Sequence, residues 1–199
     1  MAANAAAAPG LEGAALDVAC GTGDFAFDLA RKTNIEHVVG LDFALEMLAL
    51  ARGKAARQGL GSQTTFTVGD AHALPFADDS FVCATVGFGV RNFIDVPRAL
   101  RDMVRVVQPC GRVVVLEIVR MEGKGPHNRV LPWCFQRVAP ILGAALAGDS
   151  EAYSYLPQSV DEFLSAAQLA ETMESAGLRN VRRRSLGMGM VAVVVGEVG

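Results

Sequence analysis

Residues 14–24 read Ala-Ala-Leu-Asp-Val-Ala-Cys-Gly-Thr-Gly-Asp, and this stretch decides the fold class of the chain. A short apolar run leads into the spacing Asp17-x-x-x-Gly21-x-Gly23, and a helical pattern begins directly after it. A strand, a tight glycine turn and a helix in this order let the backbone lie close to a nucleotide-like ligand. The stretch therefore predicts the first unit of an α/β sheet, with a ligand site at the end of the strand.

The composition of the 199 residues is that of one globular domain with a substantial core. The net charge of −3 argues against a nucleic-acid partner, because neutralising phosphates requires clustered Lys and Arg. The one basic run, Arg182-Arg183-Arg184, fits a solvated strand edge. Four cysteines without a Cys-x-x-Cys pair predict neither a zinc site nor a disulfide framework. We therefore expect a cytoplasmic protein that needs no metal.

Strand and helix patterns alternate along the first 118 residues and predict a parallel sheet with right-handed crossovers. After the first strand, strand patterns occur at residues 37–41, 64–68, 81–86 and 112–118. Helical spacing occurs at 25–32 and 45–58, after the candidate N-cap Asp95, and at 159–176. Residues 182–186 and 190–195 are predicted to close the chain as a hairpin. We expect a loose Ala-rich tail at 1–13, followed by a single domain at 14–199.

Two classes of cofactor fit the glycine turn. The pattern Gly21-x-Gly23-x-x-Ala26, with Asp42 about twenty residues further on, satisfies the dinucleotide template. A pyrophosphate, however, favours a helix N-terminus free of acids, whereas Asp17 and Asp24 bracket this turn. Two carboxylates suit a ligand that carries an ammonium and a sulfonium. The electrostatics therefore favour S-adenosylmethionine.

Further acidic residues follow the next two predicted strands, at the sheet edge where such ligands bind. Asp42 is placed to accept hydrogen bonds from both ribose hydroxyls, and Asp70 with the Ala71 backbone to contact the adenine edge. The alternative is that Asp17 and Asp70 only cap turns. The sequence Gly87-Phe88-Gly89 falls at the same edge, so these residues are expected to form one site.

Several segments resemble class I S-adenosylmethionine-dependent methyltransferases. They read Leu-Asp-Val-Ala-Cys-Gly-Thr-Gly-Asp (16–24), Gly-Leu-Asp (40–42), Gly-Asp-Ala (69–71) and Leu-Pro-Phe (74–76). More specific are Phe-Gly-Val-Arg-Asn (88–92), the segment 105–117, and Tyr-x-Tyr-Leu-Pro-x-Ser-Val (153–160). These are similar to the ubiquinone/menaquinone biosynthesis C-methyltransferases (the UbiE/MenG group). The resemblance extends from about residue 16 to residue 195.

The resemblance implies a Rossmann-like α/β sheet of seven strands, mostly parallel with the last one antiparallel, and helices on both faces. It implies S-adenosylmethionine contacts at Thr22, Asp42, Asp70 and Ala71. The position of Gly87 often carries a small hydroxyl residue in the family, so Gly87 is expected to offer only its backbone. The implied methyl acceptor is a prenylated hydroquinone; demethylmenaquinol is favoured, and the ubiquinone precursor remains open.

The reaction so implied is attack of a ring carbon, ortho to a phenolic oxygen, on the sulfonium methyl. We expect Arg91 to stabilise the phenolate and Asn92 to orient it, because both follow the fourth strand at the ligand edge. The alternative for Arg91 is a structural salt bridge. Phe88 is a further acceptor candidate. Three more residues are candidates with an ordinary surface or packing role as the alternative: His127, Tyr153 and Tyr155.

Residues 126–148 form a strongly apolar insertion. Within its apolar runs, Pro132, Pro140 and a central Arg137 argue against a transmembrane helix. An apolar lid that receives an isoprenoid tail and touches the inner membrane surface fits the pattern, and an ordinary core helix is the alternative.

Two departures from the family pattern matter. Cys110 stands where a second glycine is usual after Pro109, and a positive φ there would cost about 1 kcal/mol. The usual N-terminal segment with a Tyr-Asp-x-Met-Asn stretch is also missing before residue 14. The rival functions are methylation of another phenolic molecule, a non-catalytic S-adenosylmethionine-binding protein and, last, an NAD oxidoreductase. The oligomeric state is left open.

Overall fold

The computed structural model describes residues 2–6, 13–121 and 163–199. Its strands form one seven-stranded sheet. They are β1 (Ala14–Val18), β2 (His37–Asp42), β3 (Thr64–Val68), β4 (Phe81–Gly87), β5 (Val107–Ile118), β6 (Leu178–Leu186) and β7 (Val191–Val198). The helices are α1 (Ala2–Ala6), α2 (Asp24–Lys32), α3 (Leu45–Arg57), α4 (Val96–Arg105) and α5 (Ala166–Ser175), with 3-10 turns η1 (Val90–Asn92) and η2 (Gly187–Gly189).

The strand order β3-β2-β1-β4-β5-β7-β6 places a crevice at the middle of the sheet. The first five strands are parallel, and β7 runs antiparallel to both β5 and β6. The chain leaves β1 in one direction through β2 and β3, then crosses back to β4 on the other side of β1. Ligands bind at such a reversal point, outside the carboxyl ends of the strands. The predicted mostly parallel sheet and its closing hairpin are confirmed.

The sheet is buried on both faces by helices. On one face β-branched strand residues pack against α4 and α5, and on the other they pack against α1, α2 and α3. Double coverage explains why β4 and much of β5 are nearly all apolar. Of the residues buried within the strands, the polar exceptions that bear on function are Asp17, Asp42, Thr85 and Glu117.

Helix boundaries follow local capping chemistry. Asp95 caps α4 as predicted, because its side chain accepts a hydrogen bond from the Arg98 amide. The predicted start of the last helix at residue 159 is wrong. Ser165 caps α5 and forms a capping box with Gln168, so the helix begins at Ala166.

Two boundaries differ from expectation for physical reasons. Residues 2–6 form the helix α1 rather than a loose tail, since alanine favours helix and its small side chain allows close packing; Ala2 and Ala6 are buried. Strand β5 begins at Val107 rather than 112 and has an irregular register opposite β4. Cys110 lies within β5 at φ +65°, the strained conformation anticipated for this position.

Candidate active site

The glycine turn after β1 has the shape that a closely bound ligand needs. Gly21 and Gly23 both have positive φ, at 53° and 84°. A Cβ at Gly23 would lie 2.9 Å from the Phe27 ring and 3.0 Å from the Phe66 ring. A Cβ at Gly21 would meet no atom within 4 Å among the described residues. Gly23 thus serves packing, whereas Gly21 leaves open space beside the crevice.

Asp17 is fully buried at the end of β1. Its Oδ1 accepts a hydrogen bond of 2.7 Å from Thr85 Oγ1, whereas Oδ2 makes none with the described residues. Burial raises the pKa of Asp17 to about 7, although Thr85 and the Ala26 backbone partly oppose this. Asp17 lines a cavity, so its unpaired oxygen is placed to receive a cationic donor such as an ammonium.

Asp42 is anchored at the end of β2. Its Oδ2 accepts from the Gly21 amide at 2.8 Å, and its Oδ1 accepts from the Ala44 amide at 2.9 Å. Each carboxylate oxygen retains a second lone pair, so Asp42 can still accept from a diol in the cavity that it lines.

Asp70 follows β3 and is oriented by His72. Asp70 Oδ1 accepts from the His72 amide at 2.9 Å and lies 2.6 Å from His72 Nδ1. His72 Nε2 accepts from the Asp95 amide at 3.2 Å, which assigns the ring proton to Nδ1. These contacts, led by the His72 amide, lower the pKa of Asp70. His72 therefore holds the carboxylate at the cavity wall.

Two cavities meet at the crevice and share Ala19 and Phe88. The first, of about 480 Å³, is lined by Asp17, Asp24, Gly87 and an apolar set; the set is Ala2, Phe25, Leu116, Leu186 and Val193. The second, of about 470 Å³, is lined by residues at the end of β2 and after β2, β3 and β4; they include Asp42, Phe43, Asp70, Ala71, His72 and Asn92. The structure thus brings most of the candidate cofactor residues into one continuous cleft.

Thr22 and Asp24 have different surroundings from those expected. Thr22 Oγ1 donates to Asp24 Oδ2 at 2.8 Å and accepts from Lys54 Nζ at 2.7 Å. Lys54 also forms an ion pair with Asp24 at 2.9 Å. Thr22 is therefore already engaged with Asp24 and Lys54, and Lys54 neutralises the charge of Asp24. The acidic character beside the glycine turn is supplied by Asp17.

The structure places Arg91 and Asn92 differently. Both lie in η1, but of the two only Asn92 lines one of the two cavities formed by the described residues. Arg91 donates through its amide to Glu117 Oε2 and through Nη1 to Glu117 Oε1, while its buried Nε has no partner among the described residues. The salt bridge considered as the alternative role of Arg91 is thus present.

Two residues that position the site were not identified from the sequence. Thr85 holds Asp17, and Glu117 holds Arg91. Burial raises the pKa of Glu117, and the neighbouring Arg91 opposes that shift. Each is a polar residue inside a nearly all-apolar strand, which is the signal by which sequence inspection can find such residues. The candidates His127, Tyr153 and Tyr155 and the insertion 126–148 lie outside the described residues.

Comparison with known proteins agrees with this geometry. The model of the ubiE/COQ5 methyltransferase family matches residues 3–197. A demethylmenaquinone methyltransferase of Thermus thermophilus is 44% identical over 182 residues, which cover 92% of this chain and 81% of that protein. A ubiquinone/menaquinone biosynthesis C-methyltransferase UbiE of Geobacter sulfurreducens is 38% identical over 188 residues, or 94% of this chain and 73% of that protein.

Solved structures share the fold at much lower identity. An S-adenosylmethionine-dependent methyltransferase from Aquifex aeolicus superimposes with a TM-score of 0.66 at 19% identity, over 94% of this chain and 82% of that one. Phosphoethanolamine N-methyltransferase 2 of Haemonchus contortus, in complex with S-adenosylmethionine, gives a TM-score of 0.67 at 14% identity, over 94% of this chain and 49% of that one. At such identities only the fold is compared, and it is the same fold. The sequence match over nearly the whole chain goes further: this chain belongs to the ubiE/COQ5 methyltransferase family.

Proposed function

We propose that the protein methylates a ring carbon of a prenylated hydroquinone, with S-adenosylmethionine as the methyl donor and demethylmenaquinol as the acceptor. The observation that carries the proposal is the cleft of two joined cavities, with the unpaired Asp17 oxygen in one, in a chain of this family. The ubiquinone precursor is the second acceptor to test, since relatives with both names match the chain.

The cofactor is S-adenosylmethionine, and the cleft residues fit its parts. Asp17 fits the ammonium, because an unpaired buried carboxylate oxygen is costly unless a cation or donor reaches it. Asp42 fits the ribose hydroxyls, and Asp70 with Ala71 fits the adenine edge in the second cavity. Gly21 leaves room for the ligand beside the turn, whereas Gly87, which lines the first cavity, makes room for the Phe25 ring. When bound, the cofactor supplies an electrophilic methyl group.

The protein must both position the acceptor and make its carbon nucleophilic. Holding two reactants in the right geometry is worth up to roughly 7 to 11 kcal/mol. A phenol with a pKa near 10 loses its proton at a cost of about 4 kcal/mol at neutral pH. We propose that Asn92, at the cavity wall, orients the hydroxyl, and that the positive charge of Arg91 stabilises the phenolate. Glu117 keeps the Arg91 guanidinium in one place for this task.

The apolar side of the first cavity is the proposed seat of the acceptor ring. Phe25, Leu116, Leu186 and Val193 line it, next to Phe88 at the junction with the second cavity. An aromatic ring and the first part of an isoprenoid chain bind to such a surface by displacing water from it. We further propose that His127, Tyr153, Tyr155 and the apolar residues 126–148 extend this site.

A prenylated acceptor dissolves in the bilayer, so we propose that the protein works as a peripheral enzyme at the inner face of the membrane. Within the described ranges, none of the helices combines the length and the apolar character that crossing a bilayer requires.

The direct test is mass spectrometry after incubation with S-adenosylmethionine and a reduced demethylmenaquinone analogue. We expect the acceptor to gain one methyl group on a ring carbon. A parallel reaction with a benzoquinol analogue reports the ring preference. If neither acceptor gains mass while calorimetry still detects S-adenosylmethionine binding, the chain is a cofactor-binding protein without this activity.

A further inference from the structure

The basic run Arg182-Arg183-Arg184 has no part in the proposed chemistry, yet it lies beside the cleft. In the β6–β7 pair Arg184 is opposite Val193 and Arg182 is opposite Val195. Directly opposed residues of antiparallel strands project from the same face, and Val193 lines the first cavity. Arg182 and Arg184 are both exposed. Two cations therefore stand on the cleft face of the sheet, at its outer edge.

Three acidic side chains near this face are already in ion pairs, and Asp17 is buried inside the first cavity. The ion pairs are Arg112–Glu197, Lys54–Asp24 and Lys32–Asp28. Within the described residues Arg184 forms no ion pair. The outer edge of the cleft face is thus cationic, which favours an anionic partner.

The strand leads from these cations to an apolar tip. Leu186, the last residue of β6, lines the first cavity. In the turn that follows, Met188 is 73% exposed and has a φ of 58°, between two glycines that also have positive φ. A left-handed conformation is costly for methionine, and exposure of its side chain adds no burial in return. Met188 therefore projects an apolar side chain outward at the rim where the cleft opens.

We infer that Arg182, Arg184, Leu186 and Met188, here named the β6 strip, form a docking surface for an anionic lipid bilayer. Cations next to an apolar tip match the layers of such a bilayer, with anionic headgroups above acyl chains. An acidic polypeptide offers the charge without the apolar layer, so the bilayer is the better match. Docking through the strip brings the mouth of the first cavity to the lipid surface. The reason for bringing the cavity to the lipid rests on the proposed function, whereas binding of the β6 strip to a bilayer does not.

The experiment is sedimentation of the full chain with vesicles of phosphatidylcholine, with and without phosphatidylglycerol. Each arginine near an anionic surface contributes about fivefold to binding, so Arg182→Gln/Arg184→Gln is expected to weaken binding about 25-fold. The control Arg57→Gln/Arg101→Gln removes the same charge from exposed positions on α3 and α4. It is expected to bind like the unchanged chain.

A second variant separates docking from folding. Met188→Asn places a residue that tolerates positive φ at the tip, so the midpoint of thermal unfolding is expected to stay the same or rise while vesicle binding falls. Vesicle binding that needs no phosphatidylglycerol, or that the strip variants leave unchanged, overturns the inference. If Arg182→Gln/Arg184→Gln weakens binding to soluble polyglutamate as much as binding to vesicles, and Met188→Asn changes neither, the strip is a site for an acidic polypeptide instead. Methyl transfer to an acceptor in detergent is measured separately, so failure to dock and failure of the proposed reaction are distinguishable.

Discussion

Asp17 combines complete burial with one unpaired oxygen, and its protonation is therefore linked to folding. The unfolded chain has the ordinary aspartate pKa of 3.8, and the folded chain has about 7. Between these values the folded state holds a proton that the unfolded state has released, so the free energy of unfolding falls as the pH rises. The loss across the interval amounts to roughly 4 kcal/mol at most.

Asp17→Asn removes this linkage. We expect the difference in unfolding free energy between the variant and the unchanged chain to grow in favour of the variant as the pH rises from acid to neutral. Urea unfolding at a series of pH values measures it, and the difference cancels the titration of other carboxyl groups such as Asp70. A difference independent of pH means that the pKa of Asp17 is not raised by burial.

Binding of the cofactor should be linked to the same proton. An ammonium beside Asp17 favours the carboxylate, so binding below pH of about 7 releases a proton, and affinity rises up to tenfold per pH unit. Calorimetry in buffers of different ionisation enthalpy counts that proton. S-adenosylhomocysteine keeps the ammonium and lacks the sulfonium, so it should show the same release. If neither ligand releases a proton when it binds, the ammonium does not lie beside Asp17.

The Arg91–Glu117 pair is buried, and its effect on stability can be separated from its effect on turnover. Arg91→Met leaves Glu117 as an unpaired buried acid and is expected to cost about 3 to 5 kcal/mol of stability. The double variant Arg91→Met/Glu117→Leu replaces the pair with apolar side chains and is expected to recover most of that loss. Urea unfolding of the single and double variants measures the coupling.

The double variant is expected to be folded and to bind the cofactor. If Arg91 stabilises the phenolate, this variant still does not methylate the acceptor. Arg91→Lys is the matched control, because it keeps a cation beside Glu117 and changes only the shape of the donor. Full turnover in the double variant would reduce Arg91 to a structural residue.

At the scale of elements, strong local patterns were sufficient to predict where β3 and α4 begin. The sequence pattern of β3 matched the structure at both ends, and Asp95 marked the start of α4. What could not be predicted were contacts between distant residues, because hydrophobic periodicity carries no information on which polar side chains meet. Lys54 reaches Asp24 from 30 residues away, and Arg91 reaches Glu117 across 26.

The irregular part of β5 likewise depends on a contact between distant residues, which local patterns do not predict. The strand was expected to begin at residue 112, but it begins at Val107, because Phe81 of β4 pairs with Val107 before the register shifts. The resulting φ of 65° at Cys110 is a local strain inside an otherwise regular element.

Cys110→Gly should relieve that strain. A left-handed residue other than glycine costs about 1 to 2 kcal/mol, and the extra freedom of glycine in the unfolded chain returns about 0.4 to 1 kcal/mol of this. We therefore expect a net gain of about 0.5 to 1 kcal/mol in unfolding free energy, measured in urea. Cys110 is exposed, so no packing is lost. Cys110→Ala keeps the Cβ and is expected to gain nothing; equal gains in both variants would show that the thiol, not the backbone, is unfavourable.

At the scale of the whole molecule, the cleft joins elements from both halves of the sheet. The first cavity takes residues from β1, β4, β5 and β7, and the second takes residues that follow β2, β3 and β4. A ligand that occupies both therefore binds only when the whole sheet is folded, and its binding free energy adds to the stability of the molecule.

S-adenosylmethionine at a hundred times its dissociation constant is expected to add about 2.7 kcal/mol, which raises the unfolding midpoint of a domain of this size by roughly 5 to 10 °C. Adenosine lacks the methionine part, which we propose lies in the first cavity, so it is expected to raise the midpoint much less at equal concentration. NAD is the decisive comparison, because its pyrophosphate would have to approach the turn beside Asp17, where a carboxylate repels it once ionised. Thermal unfolding followed by calorimetry measures all three. A larger shift with NAD than with S-adenosylmethionine would return the glycine turn to the dinucleotide class, despite the family to which the chain belongs.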